Sequence, residues 1–381
     1  MAIDRDFVLE TASRLVRVDS RNPGLEEGAP GERELAEVVV ELLADCGWQG
    51  ELVDLGDNRA NVVSVRQGRA GGRSLMINVH LDTVGVAGMA DPFSGELRGG
   101  RIWGRGAQDT KGGLAAVLGA AKALSEEGVE LDGDLVLAFV ADEEHRSLGT
   151  ERLLEDVTTD AGIVIEPTEL DLCVAHRGFG LFQAHTRGRA AHGGSPQLGI
   201  DANRRMGHVL VALEELEARW SAGAGHVLLG SPSLHVPRLA GGRQLFMYAD
   251  RCTADVECRT VPGLTRATVL ADLEAALAFP GFEVELEETQ WQEPYAIDPA
   301  RPIVELVQRV ASAVRNEPAR LIGHPWWEDS ALLGAAGIET LVLGPTGSGL
   351  HTEEEWVDAE SLVRLAEILR RSAIEWCSLA P

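Results

Sequence analysis

Short, continuously apolar runs alternate with helical patterns between residues 74 and 165 of this chain. The runs SLMINV (74–79), DLVLAFV (134–140) and AGIVI (161–165) lack the polar–apolar alternation of a half-exposed strand, and the small-residue helix GGLAAVLGAAKAL (112–124) separates the first two. Continuous apolar strands separated by helices are typical of a parallel sheet covered on both faces. We therefore predict an α/β fold with a mainly parallel sheet sandwiched by helices.

The sequence pattern changes near residue 176, and the following segments are predicted to be strand, helix, strand, strand, helix and strand. These six segments lie at 181–187, 200–218, 233–239, 251–259, 265–278 and 282–288. Their βαββαβ order is that of a ferredoxin-like module. We predict that this module, residues 177–289, is inserted into an α/β domain formed by residues 1–176 and 290–381.

The chain is strongly acidic. Its 60 Asp and Glu residues against 34 Lys and Arg residues give a formal net charge of −26, which opposes binding to nucleic acid or to an anionic membrane. No apolar stretch is long enough to cross a bilayer, and the N-terminus lacks the apolar core of a signal peptide. Five scattered cysteines without a CxxC pair are typical of reduced thiols. We expect a cytoplasmic protein without nucleic-acid or membrane partners.

Two ionisable residues end a predicted buried strand in NVHLDTVGV (78–86). His80 and Asp82 are two residues apart, so extended backbone would place both side chains on one face at the carboxyl end of the strand. Ligands bind at that edge of an open α/β sheet, and a metal-binding imidazole often donates its other N–H to a carboxylate. The pair is a candidate metal site; the alternative is a hydrogen-bonded pair at a strand end.

Further acidic residues occupy similar positions. Asp109 lies in the glycine-rich GRGAQDTKGG, Glu143 and Glu144 follow the strand DLVLAFV, and Glu166 ends the strand in IVIEPT. Helix capping or a phosphate-binding turn is the alternative for Asp109. Solvated acids at a helix start are the alternative for the glutamate pair. Glu166, at the end of a buried strand, needs a partner or a cation.

A second histidine, His351, lies in a glycine-rich loop after the predicted strand 340–344. These motifs together supply two histidines and at least three carboxylates to one predicted sheet edge. Mixed imidazole and carboxylate ligation suits zinc, cobalt or manganese, and two ions that share a carboxylate form a dinuclear hydrolase centre.

The motifs HLDTV, GRGAQDTKGG, DEEHRSLG, EPT, AAHGGSP and GPTGSGLHTEEEW occur in this order along essentially the whole chain. They resemble the dinuclear zinc exopeptidases and deacylases, which include acetylornithine deacetylase, succinyl-diaminopimelate desuccinylase, aminoacylase and glutamate carboxypeptidase. The resemblance implies two divalent metal ions per subunit, with zinc expected and cobalt or manganese as alternatives. It also implies that the α/β domain is catalytic and that the inserted module is a lid through which two subunits form a homodimer.

Carried over residue by residue, the resemblance implies a set of five metal ligands. Asp109 would bridge the two ions. His80 and Glu166 would complete one site, and Glu144 and His351 would complete the other.

Four more residues receive roles from the resemblance. Glu143 would be the general base on the bridging water and would pass the proton to the leaving nitrogen, while Asp82 would orient the metal-binding imidazole. His192 of AAHGGSP matches a lid histidine that reaches the partner subunit's active site and stabilises the oxyanion. Arg259 of ECRTVPG matches a lid arginine that binds a substrate carboxylate; its alternative is an exposed edge-strand arginine.

These roles imply a metal-dependent amidohydrolase in which a bridging hydroxide attacks an amide carbonyl. Glu166 favours a deacylase acting on an N-acyl amino acid, because many dipeptidases and carboxypeptidases of the family have aspartate there. The alternative is a metallo-exopeptidase that acts on short peptides. A non-catalytic metal-binding relative is disfavoured, because Glu143 and every expected ligand are present.

Overall fold

The computed structural model describes residues 3–69, 71–86 and 88–380. The helices are α1 (Arg5–Val16), α2 (Arg33–Asp45), α3 (Gly112–Glu126), α4 (Leu148–Leu154), α5 (Ala202–Ser221), α6 (Arg266–Ala276), α7 (Pro302–Arg315), α8 (Ser330–Ala335) and α9 (Ala359–Cys377). The strands are β1 (Glu51–Gly56), β2 (Arg59–Arg66), β3 (Leu75–His80), β4 (Glu96–Arg98), β5 (Arg101–Trp103), β6 (Leu135–Val140), β7 (Ala161–Val164), β8 (Leu172–His176), β9 (Gly178–Arg187), β10 (Ser233–Gly241), β11 (Arg251–Thr260), β12 (Val284–Gln292), β13 (Tyr295–Ala296), β14 (Leu321–His324), β15 (Glu339–Val342), β16 (Gly347–Ser348) and β17 (Trp356–Asp358).

The first of two compact units comprises Met1–Val174, Ile297–Ile322 and Glu328–Pro381. Its large sheet has the strand order β1-β2-β6-β3-β7-β15-β8. The central strands β6, β3, β7 and β15 are parallel, whereas the pairings toward both edges are antiparallel. Every residue of β3, β6 and β7 is buried, as expected for strands with helices on both faces. The predicted α/β class with a mainly parallel sheet is confirmed.

Close helix packing covers this sheet. Helix α3 contacts α1, α9 and β3, and its small residues allow the close approach. A Cβ atom at Gly119 would lie 2.4 Å from Cγ2 of Val8 in α1, and one at Gly113 would lie 2.3 Å from Cγ2 of Ile165. Larger residues at these two positions would push α3 away from its neighbours, and with it the loop that precedes α3.

The second unit comprises Ala175–Ala296 and Gly323–Trp327. Its elements β9, α5, β10, β11, α6 and β12 follow the βαββαβ order, and its antiparallel sheet has the order β10-β11-β9-β12. Both helices bury an apolar stripe in a common core that includes Met206, Leu213, Val256 and Leu273. This unit has the topology of the predicted ferredoxin-like module.

None of the described helices is both long and apolar enough to span a bilayer. All five cysteines belong to the described residues, and each is a buried thiol.

Candidate metal centre

Parallel pairing brings three of the predicted motifs to one edge of the large sheet. Strand β3 pairs with β6 and β7, and His80 lies opposite Val140, the last residue of β6. Glu143 and Glu144 follow β6, and one residue separates Glu166 from the end of β7. Because neighbouring parallel strands end at the same edge, these side chains converge at the carboxyl ends of the strands.

The fourth motif reaches the same edge through an irregular turn, Ala107–Lys111, which leads into α3 and in which Asp109 and Thr110 have non-helical backbone angles. Gly106 precedes this turn with a φ of 77°, in the left-handed region, and a Cβ atom there would lie 2.7 Å from Cγ2 of Thr83. Only glycine fits these two conditions without strain. The turn carries Asp109, whose side chain is buried.

His351 arrives from a small second sheet of order β16-β17-β5-β4. It lies in the loop between β16 and β17. Strand β17 pairs antiparallel with β5, with Trp356 opposite Trp103. The loop before β17 therefore lies beside the segment after β5, which contains Asp109.

The two carboxylate oxygens of Asp109 face two different histidines. Oδ1 lies 2.9 Å from Nε2 of His80, and Oδ2 lies 3.3 Å from Nε2 of His351. Each histidine has a glutamate of its own. Nε2 of His80 is 3.4 Å from Oε1 of Glu166, and Nε2 of His351 is 3.1 Å from Oε2 of Glu144. The five side chains thus form two imidazole–carboxylate pairs joined by one aspartate.

Asp82 contacts both the His80 imidazole and the backbone of the two glutamates. Nδ1 of His80 lies 3.0 Å from the Asp82 backbone carbonyl oxygen and 3.5 Å from Oδ1 of its carboxylate. That carboxylate accepts hydrogen bonds at 3.1 Å from both backbone amides of Glu143 and Glu144. Asp82 therefore holds the glutamate pair against the strand that carries His80.

Burial and mutual repulsion perturb the acids at the centre. Burial, reinforced by the charge of Asp109, raises the pKa of Glu144 to about 7. Burial likewise raises the pKa values of Glu143 and Glu166 well above their ordinary values. Hydrogen bonds to Asp109 and Glu144 raise the pKa of His351 to about 10. Clustered carboxylates with perturbed pKa values are a feature of functional sites.

The donor set fits divalent cations. Oε1 of Glu144 and Oε1 of Glu166 are buried and accept no hydrogen bond, although Nε2 of His80 lies 3.4 Å from the latter atom. Such burial is costly unless a cation contacts these oxygens. At this centre, two groups have ligand atoms that all lie within 4.8 Å of one another: His80, Asp109 and Glu144, and His80, Glu143 and Glu166. Imidazole nitrogens with carboxylate oxygens are ligands that zinc, cobalt and manganese accept.

Sequence reasoning missed a residue that holds the Asp109 turn. Glu355 is almost fully buried, and its carboxylate accepts hydrogen bonds from the amides of Gly106 (3.0 Å), Gln108 (2.9 Å) and Asp109 (3.2 Å). Nη1 of Arg105 lies 2.6 Å from the same carboxylate. The only sequence signal was one acid in the run TEEEW, which does not distinguish the buried glutamate from its exposed neighbours.

Two predicted site residues belong to the second unit. His192 is exposed, its Nδ1 accepts a hydrogen bond from the Gly194 amide (3.1 Å), and its backbone bridges to Met247. Arg259 lies in β11, which runs between β10 and β9, so it is not on an edge strand. Its Nε atom lies 2.5 Å from Oε1 of Glu257, and its guanidinium carbon is 5.4 Å from the Phe179 ring centroid.

One protein family and several known proteins are similar to most of this chain. A model of peptidase family M20/M25/M40 matches residues 76–375. The N-acetyl-L-citrulline deacetylase of Xanthomonas campestris pv. campestris is 30% identical and the match covers 95% of this chain and 96% of the relative. The N-formyl-4-amino-5-aminomethyl-2-methylpyrimidine deformylase of Halalkalibacterium halodurans is 26% identical, with coverage of 92% and 91%.

The fold has counterparts among solved structures. The YXEP protein of Bacillus subtilis, described as a dinuclear metal binding peptidase, superimposes with a TM-score of 0.75 at 16% identity. The superposition covers 98% of this chain and 99% of that protein. The fold is therefore shared along the whole chain.

Proposed function

The chain belongs to peptidase family M20/M25/M40 and is a metal-dependent hydrolase of amide bonds, and we propose that it removes the acyl group from an N-acyl amino acid. The observation that carries this proposal is the position of Asp109. Its two carboxylate oxygens face two separate imidazole–glutamate pairs. This arrangement is suited to two cations that share one carboxylate.

Two divalent ions per subunit, with zinc expected, would be held by His80 and Glu166 at one position and by Glu144 and His351 at the other, with Asp109 between them. Cobalt and manganese accept the same ligands. When bound, such ions lower the pKa of a water molecule and polarise a carbonyl group. The buried Oε1 atoms of Glu144 and Glu166, which accept no hydrogen bond, support this assignment.

Glu143 is the proposed general base. It lies beside His80 and Glu166, and burial raises the pKa of its carboxyl group well above the ordinary value, which suits a group that must accept and then release a proton. It would take a proton from the attacking water and deliver it to the leaving nitrogen. Asp82 supports this step because it holds the Glu143 amide and contacts the His80 ring.

The inserted module, residues 177–289, is the proposed lid and dimerisation domain. Its His192 would donate a hydrogen bond to the tetrahedral oxyanion in the partner subunit's site of a homodimer. Arg259 would bind the substrate carboxylate, for which a guanidinium is suited. Exposure of His192 leaves its imidazole accessible to a partner.

Deacylation is favoured over peptide cleavage by two observations. The relatives at 26–30% identity that match nearly the full chain are named for the removal of acetyl and formyl groups. Glutamate at position 166 is the residue typical of the deacylases that this chain resembles. We further propose that the enzyme acts in the cytoplasm, where its buried cysteines stay reduced.

A hydrolysis screen tests this proposal. Metal-stripped protein is reloaded with zinc, cobalt or manganese and assayed on acetyl, succinyl, formyl and aromatic acyl amino acids and on unblocked dipeptides. We expect kcat/KM for at least one acyl amino acid to exceed that for every dipeptide by about tenfold or more. The metal-stripped protein provides the control for hydrolysis by a contaminant.

The alternative is a metallo-exopeptidase with the same metal centre. This alternative is tested as well because the chain shares its fold with a dinuclear metal binding peptidase. A higher kcat/KM for dipeptides in the same screen would support the exopeptidase and reject the deacylase.

A further inference from the structure

The turn that carries Glu143 and Glu144 is held by two buried carboxylates, one on each side. Asp82 accepts the amides of both glutamates. Asp142, the residue just before them, has a φ of 73° and accepts the Leu148 amide at 3.4 Å through Oδ2. Asp142 also anchors the following turn, because its backbone carbonyl oxygen accepts the amides of Arg146 (3.1 Å) and Ser147 (2.6 Å).

One asparagine links these two carboxylates. Nδ2 of Asn22 donates to Oδ2 of Asp82 at 2.7 Å and to Oδ1 of Asp142 at 2.9 Å. Its Oδ1 accepts the Gly24 amide at 2.8 Å, which fixes the orientation of the side-chain amide. All three of Asn22, Asp82 and Asp142 are fully buried. The two hydrogens of one amide group are therefore shared between two carboxylates that would otherwise repel each other.

A buried arginine, Arg59, also contacts Asp142. Nη1 of Arg59 lies 2.7 Å from Oδ1 of Asp142, and its Nε and Nη2 donate to both oxygens of Glu32 at 3.0 and 2.8 Å. Arg59 and Glu32 are also buried. The guanidinium shares its one positive charge between Asp142 and Glu32 and restricts the movement of both carboxylates. The chain of contacts thus runs from Glu32 to the amides of the glutamate pair.

We propose that Asn22 is a positioning residue for the reaction: it couples Asp82 to Asp142 and so sets the placement of the Glu143–Glu144 turn. This inference rests on the proposed function for the roles of the two glutamates. Asn22 itself touches neither the metal ligands His80 and Asp109 nor, by this proposal, the substrate. Its effect therefore reaches the reaction through Asp82 and Asp142, which hold the turn.

Two readouts separate positioning from a merely structural role. Asn22→Ala removes both donated hydrogen bonds. We expect kcat to fall about 10- to 100-fold, because misplacement of a catalytic group lowers the rate by such factors. KM should change by less than about threefold, because the substrate-binding groups are untouched. In metal-free protein, hydrogen–deuterium exchange of residues 141–148 should accelerate, while exchange in β3 and α3 stays as in the wild type.

Leu43→Ala is the matched control, because it removes a fully buried side chain of α2 and leaves every hydrogen bond of the turn in place. We expect it to lower thermal stability and to keep wild-type kcat and wild-type exchange of residues 141–148. If Asn22→Ala does not fold, Asn22→Ser decides by the same two readouts, because one hydroxyl can donate to only one of the two carboxylates.

Wild-type kcat together with wild-type exchange of residues 141–148 in the folded Asn22 variant would overturn the proposal. Equal losses in the Leu43 variant would overturn it as well. A failure of the proposed function has a different signature: the wild-type protein would prefer dipeptides to acyl amino acids or would hydrolyse neither. The exchange measurement on metal-free protein would still test Asn22 in either case.

Discussion

Nε2 of His80 lies 2.9 Å from Oδ1 of Asp109, although the two residues are 29 positions apart in the sequence. The same type of contact joins Asp109 to His351 on its other oxygen. Without a cation, a proton shared between imidazole and carboxylate relieves the repulsion among the buried acids. A bound cation would take over that role, so protons must leave when the metal enters.

Proton release on metal binding is therefore the first prediction. The pKa of His351 is raised to about 10 and that of Glu144 to about 7 in the metal-free protein, so at pH 7 the imidazole carries a proton that a ligand cannot keep. We expect zinc binding at pH 7 to release protons from the protein, and the affinity for zinc to fall as the pH is lowered. Calorimetric titrations in buffers of different ionisation enthalpy measure this release, and equal heats in all buffers would contradict it.

Glu143→Gln should separate metal binding from turnover. Glutamine keeps the shape of the side chain and replaces the basic carboxylate by an amide that cannot take up a proton near neutral pH, so we expect metal content to stay as in the wild type and kcat to fall about 10²–10⁴-fold. Metal analysis and steady-state kinetics on the same samples check both halves. Glu151→Gln, which alters an exposed carboxylate in α4, is the control and should keep wild-type kcat. Retained turnover in Glu143→Gln would reject its assignment as the base.

His192→Ala tests whether the lid histidine acts on the partner's site. We expect loss of activity with unchanged metal content. Mixing His192→Ala with Glu143→Gln subunits should then restore about a quarter of wild-type activity, because half of the symmetric dimers would be mixed and each would contain one complete site. Each variant mixed with itself is the control. Absence of restored activity in dimers shown to be mixed would place His192 in its own subunit's site or outside the reaction.

Glu355→Ala should destabilise the protein strongly even without metal. The buried carboxylate accepts three backbone amides of the Asp109 turn and pairs with buried Arg105. Removing one partner of such a pair costs about 3–5 kcal/mol, which we expect in the free energy of unfolding of metal-free protein in urea. Glu354→Ala, at an exposed neighbouring position, should cost less than about 0.5 kcal/mol. Equal free energies of unfolding for the Glu355→Ala and Glu354→Ala variants would refute the stabilising role of Glu355.

Elements with strong local signals were predictable from the sequence. Helix α7 spans Pro302–Arg315, and local residues mark both of its ends, because Pro302 suits the first helical turn and Asn316 ends the helix with a φ of 59°. The parallel strands were predictable for a similar reason, since β3, β6 and β7 are continuously apolar and fully buried. Their shared edge then follows from the handedness and pairing of parallel strands.

Contacts between distant segments were not predictable. Asn22 lies 120 positions from Asp142, and Glu355 lies 246 positions from Asp109. No periodic pattern marks either residue, because each acts through one side chain in a loop rather than through a repeated face. The prediction for His80 and Asp82 assumed that extended backbone continues through both residues. Strand β3 ends at His80, and the imidazole Nδ1 lies nearer to the Asp82 backbone carbonyl oxygen (3.0 Å) than to the Asp82 carboxylate (3.5 Å).

The most direct test of the dinuclear centre is an anomalous difference map at the zinc absorption edge, measured from a crystal of the zinc-loaded enzyme. We predict two peaks, one beside His80 and Glu166 and one beside Glu144 and His351, each about 2.0–2.2 Å from a different oxygen of Asp109. No peak at Asp109, or zinc bound only elsewhere on the chain, would contradict the account.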